Sequence, residues 1–199
     1  MIINVRGCGG SGKSYVGFKL LQDYGPGTEV RKPYFRTKKD KLLGHVLRGD
    51  LALCGRYVMG SSTILEGAGY SGGLDGWHPM DEVQQLVEEF ATQHEHVFFE
   101  SLLISGTFGR WNDFATNQQL LGQEVVFGVM TTTPEVCITR ILARNGGKSI
   151  DEKDVRKFHR QTLRAALKFE DAGKRVAYLN VRGAYGEVVK ILRSDGWRP

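Results

Sequence analysis

The amino-acid sequence predicts an α/β fold in which helices flank a parallel sheet of about five strands. Two observations lead to this prediction. A short apolar segment at residues 2–5 runs directly into a glycine-rich turn and then into a helical pattern. Strand patterns alternate with helical patterns along the whole length of the chain, which is typical of a parallel sheet covered on both faces.

The glycine-rich turn has the spacing of a phosphate-binding loop. Residues 7–14 read GCGGSGKS, which matches G-x-x-x-x-G-K-[ST] between a strand and a helix. Glycines let the backbone fold around a phosphate and present N–H groups to it, and the helix N-terminus adds its dipole. We therefore expect this loop to hold a nucleotide through the following residues: Gly7, Gly9, Gly10, Ser11, Gly12, Lys13 and Ser14.

Two side chains of the loop have defined roles in phosphoryl chemistry. Lys13 would reach the β- and γ-phosphates, and the Ser14 hydroxyl would be a ligand of Mg²⁺. The motif thus predicts a P-loop NTPase fold, with ATP and Mg²⁺ as cofactors. A chance match to a glycine-rich turn is the alternative, and the position of the motif after an N-terminal strand argues against it.

The remaining elements follow from hydrophobic periodicity and from helix-terminating residues. Residues 13–23 form a helical pattern that ends at Gly25-Pro26-Gly27. Residues 28–80 contain an apolar segment at 51–54 and a stretch rich in glycine and serine at 60–76. Beyond them we predict helices at 80–93, 111–121, 134–145, 150–171 and 184–194, and buried strands at 96–100, 124–130 and 175–179.

Length and composition indicate one domain covering residues 1–199, because neither a linker nor an internal repeat is visible. No apolar run approaches the roughly 18 residues that a membrane span needs, and the chain opens directly into a strand without room for a signal peptide. The three cysteines lack C-x-x-C spacing, which argues against a disulfide framework or a zinc site. We therefore expect a cytoplasmic protein.

The charge distribution favours an anionic partner. The formal net charge is +5 and the pI is near 9.1. Basic residues cluster at 31–32, 36–39 and 153–164. Such clusters are either ordinary solvated surface or a binding surface for polyanions, which include nucleotides and nucleic acids.

Two carboxylates are candidates for the reaction centre. Glu100 ends a buried strand, and the carboxyl ends of parallel strands line the ligand crevice, so we expect it to serve Mg²⁺ or its water, or to act as general base. A carboxylate that caps the following turn is the alternative. Asp75 lies in the glycine-rich segment 67–77 and would offer a base, unless that segment is a flexible surface loop.

A pair of arginines predicts a lid. Arg140 and Arg144 are four residues apart on the helix predicted at 134–145, and they share one face of it. Guanidinium groups before a glycine-rich turn suit a lid, at about residues 140–160, that clamps the transferring phosphate. Lys148, Arg156 and Arg160 would extend this basic surface. An exposed cationic face at a helix C-terminus is the alternative.

The order of these motifs resembles that of the small P-loop kinases encoded by tailed bacteriophages, a family that includes the 5-hydroxymethyluracil (5-hmdU) DNA kinases. The resemblance covers about residues 2–180. It is carried by IINVRG at 2–7, GRY at 55–57, SGG at 71–73 with Asp75, VFFESLLIS at 97–105, and TPEVC at 133–137 leading to Arg140 and Arg144.

The resemblance implies ATP-dependent phosphorylation of the 5-hydroxymethyl group of a modified pyrimidine in DNA, in the cytoplasm of the phage host. It also implies that Lys13 and Ser14 hold ATP and Mg²⁺, and that Arg140 and Arg144 form the lid. Asp75 and Glu100 become candidate acid/base residues, and the choice between them stays open.

Two other functions also stay open. A kinase of free nucleosides or nucleoside monophosphates would share the P-loop and the lid, although Glu100-Ser101 stands where thymidylate kinases place Asp-Arg-Tyr. A non-catalytic ATP-binding module that assists DNA modification would share only the P-loop. Base stacking in a DNA kinase has four aromatic candidates, each with core packing as the alternative: Tyr70, Trp77, Phe108 and Trp111.

Overall fold

Buried runs of β-branched and aromatic residues form the strands at the centre of the molecule. The computed structural model describes residues 1–33, 40–57, 72–75 and 80–199. The strands in these ranges are β1 (Ile2–Arg6), β2 (Thr28–Pro33), β3 (Asp40–Leu47), β4 (Leu51–Cys54), β5 (His96–Glu100), β6 (Val125–Met130) and β7 (Arg175–Leu179). The helices are α1 (Lys13–Tyr24), α2 (Met80–Gln93), α3 (Leu102–Ser105), α4 (Gly109–Leu120), α5 (Pro134–Arg144), α6 (Glu152–Asp171) and α7 (Ala184–Ser194).

The strands form one sheet in the order β2-β3-β4-β5-β1-β6-β7. The five strands from β4 to β7 in this order pair in parallel. This confirms the predicted α/β P-loop fold and its parallel sheet. β2 and β3 extend the sheet by antiparallel pairing, which the sequence analysis did not predict. The edge strand β2 is exposed and carries charged residues, so it lacks the apolar run by which a buried strand is recognised.

Helix and strand boundaries agree closely with the predictions beyond residue 80. The segments at 80–93, 96–100, 175–179 and 184–194 have the observed bounds, and the other predicted segments differ by one or two residues at one end or both. The short helix α3 was not predicted; its residues were interpreted as part of a turn. One of the differences in bounds has a clear cause. Helix α6 begins at Glu152 because the Asp151 side chain caps it, accepting a hydrogen bond from the Lys153 N–H at 2.8 Å.

Each face of the sheet has its own apolar core. Helices α2, α4 and α6 cover one face, and helices α1 and α7 cover the other. Strand β1 contributes to both cores, because successive residues of a strand point to opposite sides of the sheet. Trp111 lies in the first core, fully buried, with its ring 5.2 Å from Phe99 and 5.4 Å from Phe114. The expectation that Trp111 stacks on a base is therefore wrong, since its surface is used by the core.

The carboxyl ends of β1, β5 and β6 meet at one edge of the sheet. Val5 is in register with Glu100 on β5, and Arg6 is in register with Val129 on β6. The loop that follows β1 is therefore placed between the end of β5 and the start of α5. In the described part of the chain, no helix is long and apolar enough to cross a membrane.

Candidate active site

The loop at residues 7–12 is packed tightly against α5. Gly10 has φ +75°, and a Cβ there would lie 2.5 Å from the Cys137 carbonyl oxygen, so only glycine fits. The Thr132 hydroxyl donates to the Ser11 carbonyl at 2.8 Å and ties the loop to the end of β6. The P-loop is thus held in place by the strand and helix beside it.

Lys13, the P-loop lysine, lies across the loop that it follows. Its Nζ donates to the carbonyl oxygens of Gly7, at 2.8 Å, and of Cys8, at 3.2 Å. The side chain is buried, so its ammonium group is held at the loop rather than in solvent. This position suits an ammonium that reaches the phosphates of a nucleotide cradled by the loop.

The Ser14 hydroxyl and the Glu100 carboxylate are in direct contact. Ser14 Oγ donates to Glu100 Oε1 at 2.8 Å. Glu100 is fully buried, and its Oε2 has no hydrogen-bond partner within the described residues. A hydroxyl beside a carboxylate oxygen that is still free to bind is a donor set that suits Mg²⁺, so these residues fit the predicted metal.

Burial dominates the electrostatics of Glu100. Loss of hydration raises its pKa to about 7, and the neighbouring Asp75 carboxylate acts in the same direction. The Lys13 ammonium and the Ser14 hydroxyl oppose this rise. A bound cation would stabilise the charged form further, which is consistent with a carboxylate placed to serve a metal.

Asp75 lies close to Glu100 although it is distant in sequence. Its Oδ1 accepts hydrogen bonds from the Ser101 hydroxyl, at 2.6 Å, and from the Leu102 N–H, at 2.5 Å. The preceding Gly73 has φ +75°, and a Cβ there would lie 2.3 Å from Glu100 Oε1. Residues 72–75 therefore cover the end of β5, and Asp75 is exposed where Glu100 is not.

The two predicted lid arginines differ in their contacts. Arg140 Nη1 donates to the Gly10 carbonyl of the P-loop at 3.2 Å. Arg144 lies one turn further, exposed, and makes no hydrogen bond or ion pair with any residue that the structure describes. Arg156 is held by ion pairs to Glu135, at 2.5 Å, and to Glu152, at 3.7 Å. Only Arg140 of the predicted pair is brought to the P-loop.

Comparisons with known proteins find similar chains among phage-encoded kinases. No family model matches the chain. The chain is 28% identical over 202 residues to the 5-hmdU DNA kinase of Pseudomonas phage PaMx11, covering 97% of both proteins. It is 26% identical over 197 residues to that of Pseudomonas phage M6, covering 98% of both. The chain is therefore similar, over nearly its whole length, to phage proteins named 5-hmdU DNA kinase, which is the resemblance that the order of its motifs predicted.

Two further matches complete the comparison. The 5-hmdU DNA kinase of Bacillus phage SP10 is 31% identical over 178 residues, which cover 87% of this kinase and 26% of the SP10 protein. A deoxyadenosine kinase from M. mycoides, solved with bound dATP, aligns with 97% of this chain at a TM-score of 0.45 and 12% identity. The similarity to these phage proteins identifies this protein as an ATP-dependent kinase.

Tyr57, part of the GRY segment at 55–57, lies in the apolar core next to the site. Tyr57 is fully buried beneath α1, where a Cβ on Gly17 would lie 2.3 Å from its ring. Burial raises the pKa of its phenol strongly, and the negative charges of Glu100, Cys54 and Asp75 act in the same direction. Tyr57 lies shortly after β4, at the same edge of the sheet as Glu100.

Two buried thiols join the P-loop of the kinase to α5. The Cys8 and Cys137 sulfurs are 3.4 Å apart, and both cysteines are free. The absence of a disulfide among the three cysteines agrees with the sequence analysis. The predicted roles of Tyr70, Trp77 and the basic cluster at 36–39 lie outside the described residues.

Proposed function

We propose that this kinase transfers the γ-phosphoryl group of ATP to the 5-hydroxymethyl group of 5-hydroxymethyluracil in DNA. The observation that carries the proposal is the similarity to two phage proteins named 5-hmdU DNA kinase over 97% and 98% of both chains. Similarity over this length includes the acceptor side of the molecule as well as the P-loop. The phosphate on the modified base would then serve as a leaving group in a later modification of the DNA.

The roles proposed on the ATP side follow from the contacts of the P-loop. The loop amides and Lys13 bind the phosphates, and Lys13 stabilises the charge that develops on the transferring group. Ser14 and Glu100 would hold Mg²⁺, directly or through its water, and the metal would neutralise the β- and γ-phosphate oxygens. Arg140, which already contacts the P-loop, would act on the same phosphates from the lid at about 140–160.

We propose Asp75 as the general base. A primary alcohol must lose its proton as its oxygen attacks the γ-phosphorus, and a carboxylate within hydrogen-bond reach accepts that proton. Asp75 is exposed, and the hydrogen bonds to its Oδ1 hold the carboxylate at the end of β5, where an acceptor could reach it. Glu100 is fully buried and bonded to Ser14, which suits the metal role better.

Transfer of ³²P from [γ-³²P]ATP to three acceptors tests the proposal. The acceptors are DNA that contains 5-hydroxymethyluracil, the same DNA with thymine, and the free 5-hydroxymethyl nucleotide, each with Mg²⁺. We expect label only on the modified DNA. Label on the free nucleotide alone would replace the proposal with a nucleotide kinase, and label on thymine DNA would exclude the hydroxymethyl group as acceptor.

A further inference from the structure

Helix α6 carries a row of basic side chains along one face. Its members are three or four residues apart and all are exposed: Lys153, Lys157, Arg160, Arg164 and Lys168. Residues at this spacing lie on the same side of a helix, so the five charges form one stripe, called here the α6 basic face. At about 1.5 Å per residue the stripe is roughly 22 Å long.

The charge of the α6 basic face is not neutralised by the protein. Within the described ranges, none of its five side chains forms an ion pair, whereas Arg156 beside it pairs with Glu135 and Glu152. The acidic residues of α6 lie at its two ends, at Glu152, Asp154, Glu170 and Asp171. A row of like charges without partners is repulsive by itself, and an extended anion would relieve that repulsion.

The middle of α6 packs against the turn that follows α3. A Cβ on Gly106 would lie 3.0 Å from Gln161 Cβ, so the turn after α3 touches the helix directly. The same turn is tied to the end of β1, because buried Arg6 donates from Nη1 to the Thr107 carbonyl at 2.6 Å. The stripe therefore passes beside the segment that links the P-loop with Ser101 and Asp75.

A cavity of about 340 Å³ opens between this turn and the α6 basic face. Phe108 lines one side, and Gln161, Arg164 and Lys168 line the other. The half-buried Phe108 ring packs on Phe169 at 5.0 Å, and Lys168 Nζ lies 5.8 Å from its centroid. An aromatic ring flanked by cations is the arrangement on which proteins stack an unpaired base beside a bound backbone.

We propose that the α6 basic face binds the backbone of the DNA strand that carries the acceptor base, with a neighbouring base against Phe108. This inference deepens the proposed function and rests on it. A stripe of roughly 22 Å spans about six phosphates of one strand at 3.4 Å each. A free nucleotide has one to three phosphates, which are too few to contact five cations along this length. The face therefore matches a polynucleotide rather than a small acceptor.

Salt-dependent binding tests the surface separately from the reaction. Fluorescence anisotropy would follow a labelled 5-hydroxymethyluracil duplex and a thymine duplex with the wild type, with Arg164→Gln/Lys168→Gln, and with Lys190→Gln/Arg193→Gln. The third protein loses two exposed cations from α7, on the other face of the sheet, and is the matched control. For the α6 variant we expect the salt slope of log K to fall by about 1.8, which is 0.9 per phosphate contact. Affinity near 0.1 M salt should fall on the order of tenfold, with KM for ATP unchanged.

A second variant, at Phe108, tests whether a DNA base stacks in the cavity. Phe108→Leu keeps an apolar side chain against Phe169 but removes the aromatic face. We expect it to weaken binding of single-stranded DNA without changing the salt slope, because stacking carries no charge. Equal binding of Phe108→Leu and wild type would remove the base from the proposal.

The remaining outcomes separate the two proposals. Equal losses in the α6 and α7 variants, no loss in the α6 variant, or no DNA binding by the wild type would each overturn the surface. DNA binding that depends on α6, without phosphorylation of modified DNA, would support the surface and refute the proposed acceptor.

Discussion

The phosphate-binding side and the acceptor side of this kinase are built differently. On the phosphate-binding side, Lys13 and Glu100 are buried, and Ser14 is bonded to Glu100. On the acceptor side, Asp75 and the α6 basic face are exposed. The first group is held by the fold before ATP arrives, whereas the second has no protein cover and would be completed by the acceptor. Packing fixes the chemistry that all phosphoryl transfers share and leaves acceptor choice to the surface.

The buried side carries an electrostatic cost. Burial of a carboxylate removes its stabilisation by water. At Glu100, the Ser14 hydroxyl and the Lys13 charge replace only part of that stabilisation. Its second oxygen has no partner in the described part of the chain. Such an arrangement is unfavourable for folding and favourable for a cation, so the comparison predicts opposite effects on stability and activity at this position.

The largest effect is expected for Lys13→Ala, which removes the ammonium from the phosphate-binding side. The kcat should fall by at least about 10³-fold, since the lost charge faces the transferring phosphate. The thermal unfolding midpoint should change little. Steady-state kinetics and a melting curve measure both effects, with Lys190→Ala as the control for loss of a lysine. Normal turnover in Lys13→Ala would refute the P-loop assignment.

The next largest effect is expected for Glu100→Gln, which keeps the shape of the side chain and removes its charge. The kcat should fall by about 10²–10³-fold, with a higher Mg²⁺ concentration needed for half-maximal rate. The free energy of unfolding without ATP and Mg²⁺ should rise, because a neutral amide loses less hydration on burial. An unchanged Mg²⁺ requirement would separate Glu100 from the metal.

Asp75→Asn tests the proposed general base and is compared with Glu100→Gln, which tests the proposed metal ligand. The kcat should fall by roughly 10²-fold or more, as expected for loss of a general base. The Mg²⁺ requirement and KM for ATP should stay as in the wild type, because the role proposed for Asp75 concerns the acceptor and not ATP. Mg²⁺ titrations of Asp75→Asn and Glu100→Gln in parallel distinguish the two roles. If Asp75→Asn shifted the Mg²⁺ requirement and Glu100→Gln did not, the assignments would be reversed.

A smaller effect is expected for the lid, where the two arginines should differ. Arg140→Ala should lower kcat by about ten- to a hundredfold and change ATP affinity less, because Arg140 lies against the P-loop. Arg144→Ala serves as the matched control, one turn away without such a contact, and should lower kcat less. Equal kcat values for both variants and the wild type would remove the lid from the mechanism.

The smallest effect is expected for the glycine that covers Glu100. Gly73→Ala and Gly122→Ala both place a side chain at φ near +80°, at a cost of about 1–2 kcal/mol. Only at Gly73 would the added Cβ meet a neighbour, Glu100 Oε1, while Gly122 has none within 4 Å. Chemical denaturation should show a larger loss for Gly73→Ala. Equal losses of unfolding free energy in the two variants would mean that residues 72–75 shift to accommodate the new side chain without moving Glu100.

Local sequence patterns were enough to predict the parallel part of the sheet and to propose the residues of the ATP side. Gly7 to Ser14 is a contiguous motif, and local periodicity identified the strands and the longer helices beyond residue 80 because each pattern is complete within its own segment. Glu100 was placed correctly at a strand end for the same reason. The four-residue helix α3 is too short to show such a period. The exposed strand β2 was missed because its side chains show no apolar pattern.

Tertiary structure alone decided which distant residues meet. It brought Asp75 to Ser101, placed the Cys8 and Cys137 sulfurs 3.4 Å apart, and placed Arg140 but not Arg144 against the P-loop. It also assigned Trp111 to the core. These contacts join segments far apart in the chain, and local sequence patterns carry information on periodicity but none on which segments pack together.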